Sequence, residues 1–304
     1  MSDDAAWTAM GIVGSGRRAD SLARAARNQN AHVFTHGGGA DAGLAALTAE
    51  ASLILVSVPA EALRDVMRRL SQHLDGSHVV VHTVRGLEPG TLAPPSRIVV
   101  EESCVRKVGA LLGPALADEW QQGGPTAAVV ASRFPEAIQK TQGALAGAGL
   151  RVYGSKDLPG VELAGAAASV VAFALGICRE RKLGATAEAL LVTRGFAEVS
   201  RLAVAVGGEA RSAFGLAGLG DLLVQVQEDS LAVRAGRACG RGAGRAELVT
   251  ESAEVVASIA TLHAVAERHK VTARLTAALH HVVHGGQGLQ TALEALMALS
   301  HLPE

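Results

Sequence analysis

The residues with the most specific chemistry lie near the N-terminus, at Gly14-Ser15-Gly16-Arg17-Arg18-Ala19. They follow a short apolar run and precede a helical pattern. This GxGxxA spacing is typical of a strand–helix loop in which two glycines let a pyrophosphate approach the helix N-terminus. Arg17 and Arg18 could bind phosphate, including the 2′-phosphate of NADP, or could be solvated arginines. The spacing predicts dinucleotide binding and leaves NAD and NADP open.

One feature departs from this pattern at the end of the second predicted strand. A ribose-binding Asp or Glu is expected about 20 residues after the glycine loop. The sequence there is Thr35-His36-Gly37, which holds no carboxylate. We therefore assign His36 to the nucleotide site and expect no acidic ribose ligand.

Two further segments follow buried strands at their carboxyl ends, Ser57-Val58-Pro59 and His82–Glu88. In an open parallel sheet this edge lines the ligand crevice. Val58 and Pro59 are accordingly predicted to contact the nucleotide, and Arg85 is a candidate catalytic cation. Purely structural turns explain both segments equally well.

Two polar positions interrupt the apolar C-terminal half. Asp221 follows the glycine-rich segment Gly215–Gly220 and is a candidate catalytic carboxylate or, alternatively, a helix N-cap. Arg194 interrupts an apolar helical pattern and is a candidate substrate-side cation. Glu198, one turn later, could instead simply pair with it.

Histidines and cysteines give no metal prediction. His280, His281 and His284 have i,i+3 and i,i+4 spacings that a metal could use, but no third ligand is evident nearby in the sequence. A solvated helix face is therefore favoured, and no metal is predicted. The three cysteines are far apart and odd in number, which argues against a disulfide framework.

Hydrophobic patterns divide the chain into two parts. Up to Tyr153, strands alternate with helices, which predicts a doubly wound parallel sheet of the Rossmann type in an α/β domain. From Gly160 onward the pattern is helical. We expect a dinucleotide-binding domain over residues 1–155 and an all-α domain over residues 156–304. The predicted strands include Arg97–Val100, and the predicted helices include Pro114–Gln121.

Composition excludes several classes of protein. The segment Val161–Ile177 is almost wholly apolar but shorter than the roughly 20 residues of a membrane span, so it predicts a buried helix. The net charge is −1 and no basic stripe is present, which argues against nucleic acid as a partner. The acidic N-terminus has no hydrophobic signal region, so we expect a cytoplasmic protein.

The order of these motifs resembles that of the bacterial-type NAD(P)-dependent glycerol-3-phosphate dehydrogenase family. The shared segments are GSGRRADSLA, SVPAEAL, VRGLE, LLGPALADEW, GVELAG, TRGFAEV and FGLAGLGDLL. The resemblance implies a Rossmann domain, a helical C-terminal domain and a homodimer. It also implies hydride transfer between sn-glycerol 3-phosphate and dihydroxyacetone phosphate with NAD or NADP. Glu119 of LLGPALADEW is added to the nucleotide contacts on the same ground.

The chain departs from that family where the reaction needs side chains. The resemblance places the family's proton-transferring lysine at Ala168 and the neighbouring asparagine at Ser169. A second lysine is replaced by Arg85, which keeps the charge but does not readily lose its proton. The family's Arg-Asn phosphate clamp corresponds to Ser230–Val233. Loss of a general acid typically removes about 10²–10⁴ in rate.

Three hypotheses follow. The leading one is a family member with impaired or lost dehydrogenase activity that binds NAD(P) and acts as a regulator or partner protein. The second is an active dehydrogenase with a rebuilt site, in which Arg85 polarises a carbonyl and Arg194 or Lys156 holds an acidic group of a different substrate, either a hydroxy or keto acid or a small phosphorylated metabolite. The third is a scaffold without nucleotide, which the types of His36 and Arg18 favour.

Overall fold

The computed structural model describes residues 9–37, 41–114, 126–147, 149–227 and 230–292. The chain forms two compact units, one of Met1–Arg85 with Ala93–Glu162, the other of Gly86–Leu92 with Leu163–Glu304. The division falls within the helix Leu158–Glu180. The domain limit between residues 155 and 156 stays a proposal, based on the change from strands to helices.

The first unit is built on a seven-stranded sheet in the order β2-β1-β3-β4-β5-β6-β7. The strands are β1 Met10–Val13, β2 Val33–His36, β3 Leu53–Val56, β4 Val79–His82, β5 Lys107–Leu112, β6 Thr126–Ser132 and β7 Leu150–Ser155. Five of the six described pairings are parallel, and the β5–β6 pairing is antiparallel. The predicted α/β class is thus confirmed, with one strand pair of opposite direction.

Helices cover both faces of this sheet. They are α1 Arg17–Asn28, α2 Asp41–Glu50, α3 Leu63–Ser71, α4 Pro95–Glu102 and α5 Pro135–Leu145, with a short 3₁₀ turn at Ala60–Ala62. The predicted strand Arg97–Val100 is wrong, because these residues belong to α4. Pro95 occupies its first turn, where a proline lacking an N–H starts a helix readily. The predicted helix Pro114–Gln121 lies almost entirely outside the described residues.

Alternation along the buried strands explains the two-sided sheet. Leu53 and Leu55 of β3 belong to the apolar cluster that includes Leu22 of α1. Ile54 and Val56 point to the opposite face, in a cluster shared with α2, α3 and α4. Because successive side chains of a strand alternate, a strand buried on both faces has a continuous apolar sequence.

The second unit is helical over its described residues. Its α-helices are α6 Leu158–Glu180, whose first residues belong to the other unit, α7 Ala185–Ala205, α8 Asp221–Gln227, α9 Leu231–Arg241, α10 Arg245–His269 and α11 Arg274–Val283. A 3₁₀ segment at Ala210–Phe214 and a π-helical turn at Leu216–Gly220 precede α8. A bend at Ser252 interrupts α10.

Small residues allow α6 and α9 to touch through their backbones. A Cβ placed on Gly236 of α9 would lie 2.0 Å from the carbonyl oxygen of Phe173. One placed on Gly176 of α6 would lie 2.2 Å from the carbonyl oxygen of Val233. The absence of a side chain at both glycines is therefore a steric requirement of this helix crossing.

By length and composition alone, α6 and α10 are apolar enough to cross a membrane. The most apolar 18-residue window of α6 is completely buried inside the protein, and that of α10 is half buried. Burial of this kind is typical of a helix that is hydrophobic on all sides in a protein core. The prediction of a core helix around Val161–Ile177 agrees with this.

Candidate functional site

The loop between β1 and α1 has the backbone geometry that a phosphate cradle needs. Gly14 has φ +137°, and a Cβ there would lie 2.0 Å from the carbonyl oxygen of Ser57, so no side chain fits. Gly16 has φ +93°, and a Cβ there would meet no heavy atom within 4 Å. The two glycines thus have different structural roles. Gly14 permits a tight turn beside β3, and Gly16 leaves open space at the start of α1.

The first turn of α1 presents backbone donors at this open space. Gly16 is the N-cap and offers no side-chain acceptor to them. The first N–H groups of a helix have no intrahelical acceptor, and the helix dipole favours an anion there. Ala19, the third residue of the motif, is only 4% exposed and packs against the sheet. The loop therefore fits the pyrophosphate of a dinucleotide.

A cavity of about 190 Å³ adjoins this loop at the carboxyl edge of the sheet. It is lined by five of the ten positions predicted for the nucleotide. Its lining includes Gly14, Ser15, His36, Val58, Pro59 and Arg69. The predicted Glu119 lies outside the described residues. The strand order reverses between β1 and β3, and this is the point at which open α/β sheets bind ligands.

The two arginines of the loop lie in different surroundings. Arg18 is half-buried, and its Nη1 donates a hydrogen bond of 2.8 Å to the carbonyl oxygen of Thr83, beyond the end of β4. Arg17 is exposed at the first position of α1. Arg18 thus ties the loop to the edge of the sheet, whereas the Arg17 side chain is exposed.

His36 ends β2 beside the cavity. Its Nε2 atom is buried and has no hydrogen-bond partner in the part of the chain that the structure describes. Its ring also lies against α2, where a Cβ on Gly43 would come within 2.7 Å of Nδ1. A buried ring nitrogen without a partner at the ribose-side edge is consistent with a polar ligand group there.

A buried hydrogen-bond network that the sequence did not predict lies behind β4. One carboxylate oxygen of Glu162 is 3.0 Å from Nε2 of His82 and accepts a 2.8 Å hydrogen bond from the backbone N–H of Ser96. The other accepts from the Ser96 hydroxyl at 2.7 Å. The one sequence signal for this network was that Glu162 is the single charged residue in an apolar segment.

Arg85, the predicted cation, lies three residues beyond the end of β4 and is half-buried.

In the helical unit, the positions that the resemblance assigns to proton transfer hold no titratable group. Ala168 is fully buried in the apolar cluster around α6, and Ser169 is 5% exposed. Neither side chain can act as a general acid at neutral pH. An alanine in this environment is fully accounted for by packing.

Asp221 is buried at the start of α8, with 2% exposure. Its Oδ2 accepts a 2.8 Å hydrogen bond from the side-chain amide of Gln225 one turn later. The alternative prediction that Asp221 is a helix N-cap is wrong, because the residue has helical dihedrals (φ −67°, ψ −39°) and continues the π-helical turn directly into α8.

Arg194 is exposed on α7, and the suggested pairing with Glu198 is wrong. Glu198 instead accepts hydrogen bonds at the start of α11, from the backbone N–H groups of Leu275 at 2.7 Å and Thr276 at 3.2 Å. Burial raises the pKa of the Glu198 carboxyl, and these hydrogen bonds oppose that change. No local pattern indicates this contact, because 77 residues separate Glu198 from Leu275.

The segment that the resemblance assigns to the family's phosphate clamp forms the start of α9. The Ser230 side chain caps α9 by accepting from the backbone N–H of Val233 at 3.4 Å. Leu231 is 51% exposed, and Ala232 is buried against the apolar cluster. Neither side chain can donate a hydrogen bond to a phosphate.

The fold and the glycine loop define a protein of the dinucleotide-binding Rossmann class. Two family models match it in succession, NAD-dependent glycerol-3-phosphate dehydrogenase N-terminus at residues 12–138 and C-terminus at residues 157–294. The chain therefore belongs to the NAD-dependent glycerol-3-phosphate dehydrogenase family.

Individual relatives agree with this assignment. The chain is 36% identical to glycerol-3-phosphate dehydrogenase [NAD(P)+] of Bacillus subtilis, over 82% of this chain and 74% of the relative. It is also 36% identical to the same enzyme of Azotobacter vinelandii, over 84% and 76%. The crystal structure of glycerol-3-phosphate dehydrogenase from Coxiella burnetii superposes with a TM-score of 0.86 at 27% identity, covering 95% of this chain and 98% of that one.

Proposed function

We propose that this chain binds NAD(H) or NADP(H) in its first unit but does not carry out the family's hydride transfer at a normal rate. Its role is then that of a nucleotide-dependent regulator. The observation that carries the proposal is Ala168, a fully buried alanine at the position assigned to the family's proton-transferring lysine. Leu231 and Ala232, at the position of the phosphate clamp, support it independently.

The β1–α1 loop supports the proposed nucleotide binding. The N–H groups at the start of α1 would hold the pyrophosphate above Gly16, with Arg17 beside it. Val58, Pro59 and His36 line the adjoining cavity and would face the adenosine side. When bound, the nicotinamide supplies or accepts a hydride, and the chain's own residues supply only binding and orientation.

The proposed loss of dehydrogenase activity follows from the energetics of the reaction. Reduction of a carbonyl needs a group that donates a proton to the oxygen, and the absence of such a group typically costs about 10²–10⁴ in rate. The loss of phosphate contacts removes remote binding energy that also assists turnover. Arg85 could polarise a carbonyl, but a guanidinium does not readily transfer its proton.

Nucleotide binding is tested by titrating the full chain with NADH and NADPH and following nucleotide fluorescence. Gly16→Ala places a methyl group in the open space of the cradle, so we expect at least about tenfold weaker binding, or about 1.4 kcal/mol. Gly242→Ala is the matched control, because Gly242 also has positive φ (+98°) and open surroundings but caps the end of α9. If the wild-type chain binds neither nucleotide, the scaffold hypothesis replaces the proposal.

Activity is tested by following NADH or NADPH absorbance with dihydroxyacetone phosphate. We expect a rate at least about 100-fold below that of an active family member assayed in parallel. Restoring the side chains in a variant carrying Ala168→Lys, Ser169→Asn, Leu231→Arg and Ala232→Asn should raise the rate. Turnover by the unmodified chain at the rate of the active relative would refute the deficit and favour a rebuilt site with Arg85 and Arg194.

A further inference from the structure

Four imidazoles gather in the helical unit, on and just after α10 and α11. We call them the histidine cluster: His263 on α10, His280 and His281 on α11, and His284 just after α11. The rings of His263 and His280 are stacked with centroids 4.2 Å apart, and those of His280 and His284 are 5.0 Å apart. His263 is the nearby third histidine that the sequence alone did not reveal.

Three members of the cluster have the spacing of metal ligands. One ring nitrogen from each of His263, His280 and His281 lies within 4.8 Å of the others. Nitrogens on a tetrahedral Zn²⁺, with bonds of about 2.1 Å, are about 3.4 Å apart. Binding one ion therefore requires these distances to shorten by up to about 1.4 Å and the stacked rings of His263 and His280 to turn so that both nitrogens point at it.

Unpartnered ring nitrogens are a second feature of the cluster. The buried Nδ1 atoms of His263 and His280 have no hydrogen-bond partner among the described residues. These two buried and unpartnered nitrogens are the second indication of a ligand.

We propose that His263, His280 and His281 bind a transition-metal cation of the Zn²⁺ type. Imidazole nitrogens favour Zn²⁺, Ni²⁺ and Cu²⁺, whereas Mg²⁺ and Ca²⁺ prefer oxygen ligands. Three protein ligands leave one position of a tetrahedron for water or another small ligand. Nε2 of His284 lies 3.1 Å from the carbonyl oxygen of Val256, so its ring is held against His280 and acts as a positioning residue.

The bound ion would join two helices that are consecutive in the chain. α10 ends at His269 and α11 begins at Arg274, and the ion would connect their facing sides one to two turns from that connection. A ligand that binds only the folded state raises stability in proportion to the logarithm of its concentration. Zn²⁺ is therefore expected to stabilise this helix pair independently of any nucleotide.

The test uses the full chain, stripped of metal with a chelator and free of any purification tag containing histidine. Zn²⁺ binding is measured by calorimetry, and Co²⁺ is used as a spectroscopic probe, because four-coordinate Co²⁺ absorbs strongly in the visible region. We expect one ion per chain, visible absorption with Co²⁺ and a rise in Tm with Zn²⁺. His263→Gln and His280→Gln should each weaken binding by more than the roughly 10–100-fold typical of outer-shell partners.

Two controls keep the result interpretable. His269→Gln changes an exposed histidine of α10 outside the cluster and should leave binding unchanged. His281→Gln changes the most exposed ligand, so it should lose binding even if a variant at a more buried position fails to fold. Binding that is equal in all variants, or that His269→Gln weakens as much as His280→Gln, would overturn the proposal. Loss of nucleotide binding in the Gly16→Ala variant would not affect it.

Discussion

The close crossing of α6 and α9 allows a quantitative prediction. Gly236→Ala places a methyl carbon 2.0 Å from the Phe173 carbonyl oxygen, at least an ångström inside normal contact. The obstacle is backbone, so the helices themselves must separate. Overpacking costs about 1–3 kcal/mol and sometimes more, and we place this case at the upper end. Alanine returns up to about 1 kcal/mol of helix propensity, which leaves about 2 kcal/mol of net destabilisation.

The assay is urea unfolding of the full chain followed by far-ultraviolet circular dichroism. Gly143→Ala in α5 is the control, because a Cβ there meets no heavy atom within 4 Å and the residue is exposed. It should be neutral or up to about 1 kcal/mol stabilising. The two substitutions are chemically identical, so their difference isolates the helix crossing.

A second substitution tests whether the contact is shared. Gly176→Ala strikes the same crossing from the other side, 2.2 Å from the Val233 carbonyl oxygen. Once the helices have separated for one methyl group, the second should add less than its individual cost. If Gly236→Ala were as stable as Gly143→Ala, or if the two substitutions at the crossing were strictly additive, the backbone contact would not be what limits the distance between the helices.

Three further outcomes are expected from urea unfolding of metal-free protein. Glu198→Ala leaves the N–H groups of Leu275 and Thr276 without their acceptor and should cost about 1–3 kcal/mol, with Glu198→Gln costing less. Glu162→Ala removes the shared acceptor of a buried network and should cost at least about 2 kcal/mol, again partly recovered by glutamine. Burial and the neighbouring imidazoles lower the pKa of His280 to about 4 in the folded state, below the unfolded value of 6.5, so stability should fall as the pH decreases from about 6.5 to 4. His280→Gln should reduce that fall. An identical dependence of stability on pH in this variant would contradict the lowered pKa of His280.

The strands of the sheet were predicted well because apolar runs and glycine spacing are features of short, continuous segments. The run Leu53–Val56 is apolar throughout since it is buried on both faces, and Gly14 and Gly16 are spaced for the turn that they form. Arg97–Val100 was misassigned because three β-branched residues outweighed the proline signal at Pro95. The antiparallel β5–β6 pair could not be predicted, because alternation of strands and helices carries no information about strand direction.

The candidate sites depended on contacts between distant residues, and there the sequence was less informative. Gly14, His36 and Val58 were found because the parallel-sheet rule places strand ends at one edge. No comparable rule pairs Glu198 with Leu275 or His263 with His280, since helix packing brings these residues together across long stretches of chain. Glu162 could have been suspected from its isolation among apolar residues, but its partners could not.

The glycines of α6 also bear on how this family changes by mutation. At Gly176 a side chain is excluded by the backbone of α9, so selection for folding alone should keep glycine there in active and inactive members alike. Ala168 already carries a Cβ, so no such exclusion applies to it, and under the proposed function this position would vary with the chemistry that selection demands. Conservation along this helix would therefore have two causes, packing and catalysis. Only the positions conserved for catalysis should differ between relatives that kept the reaction and relatives that lost it.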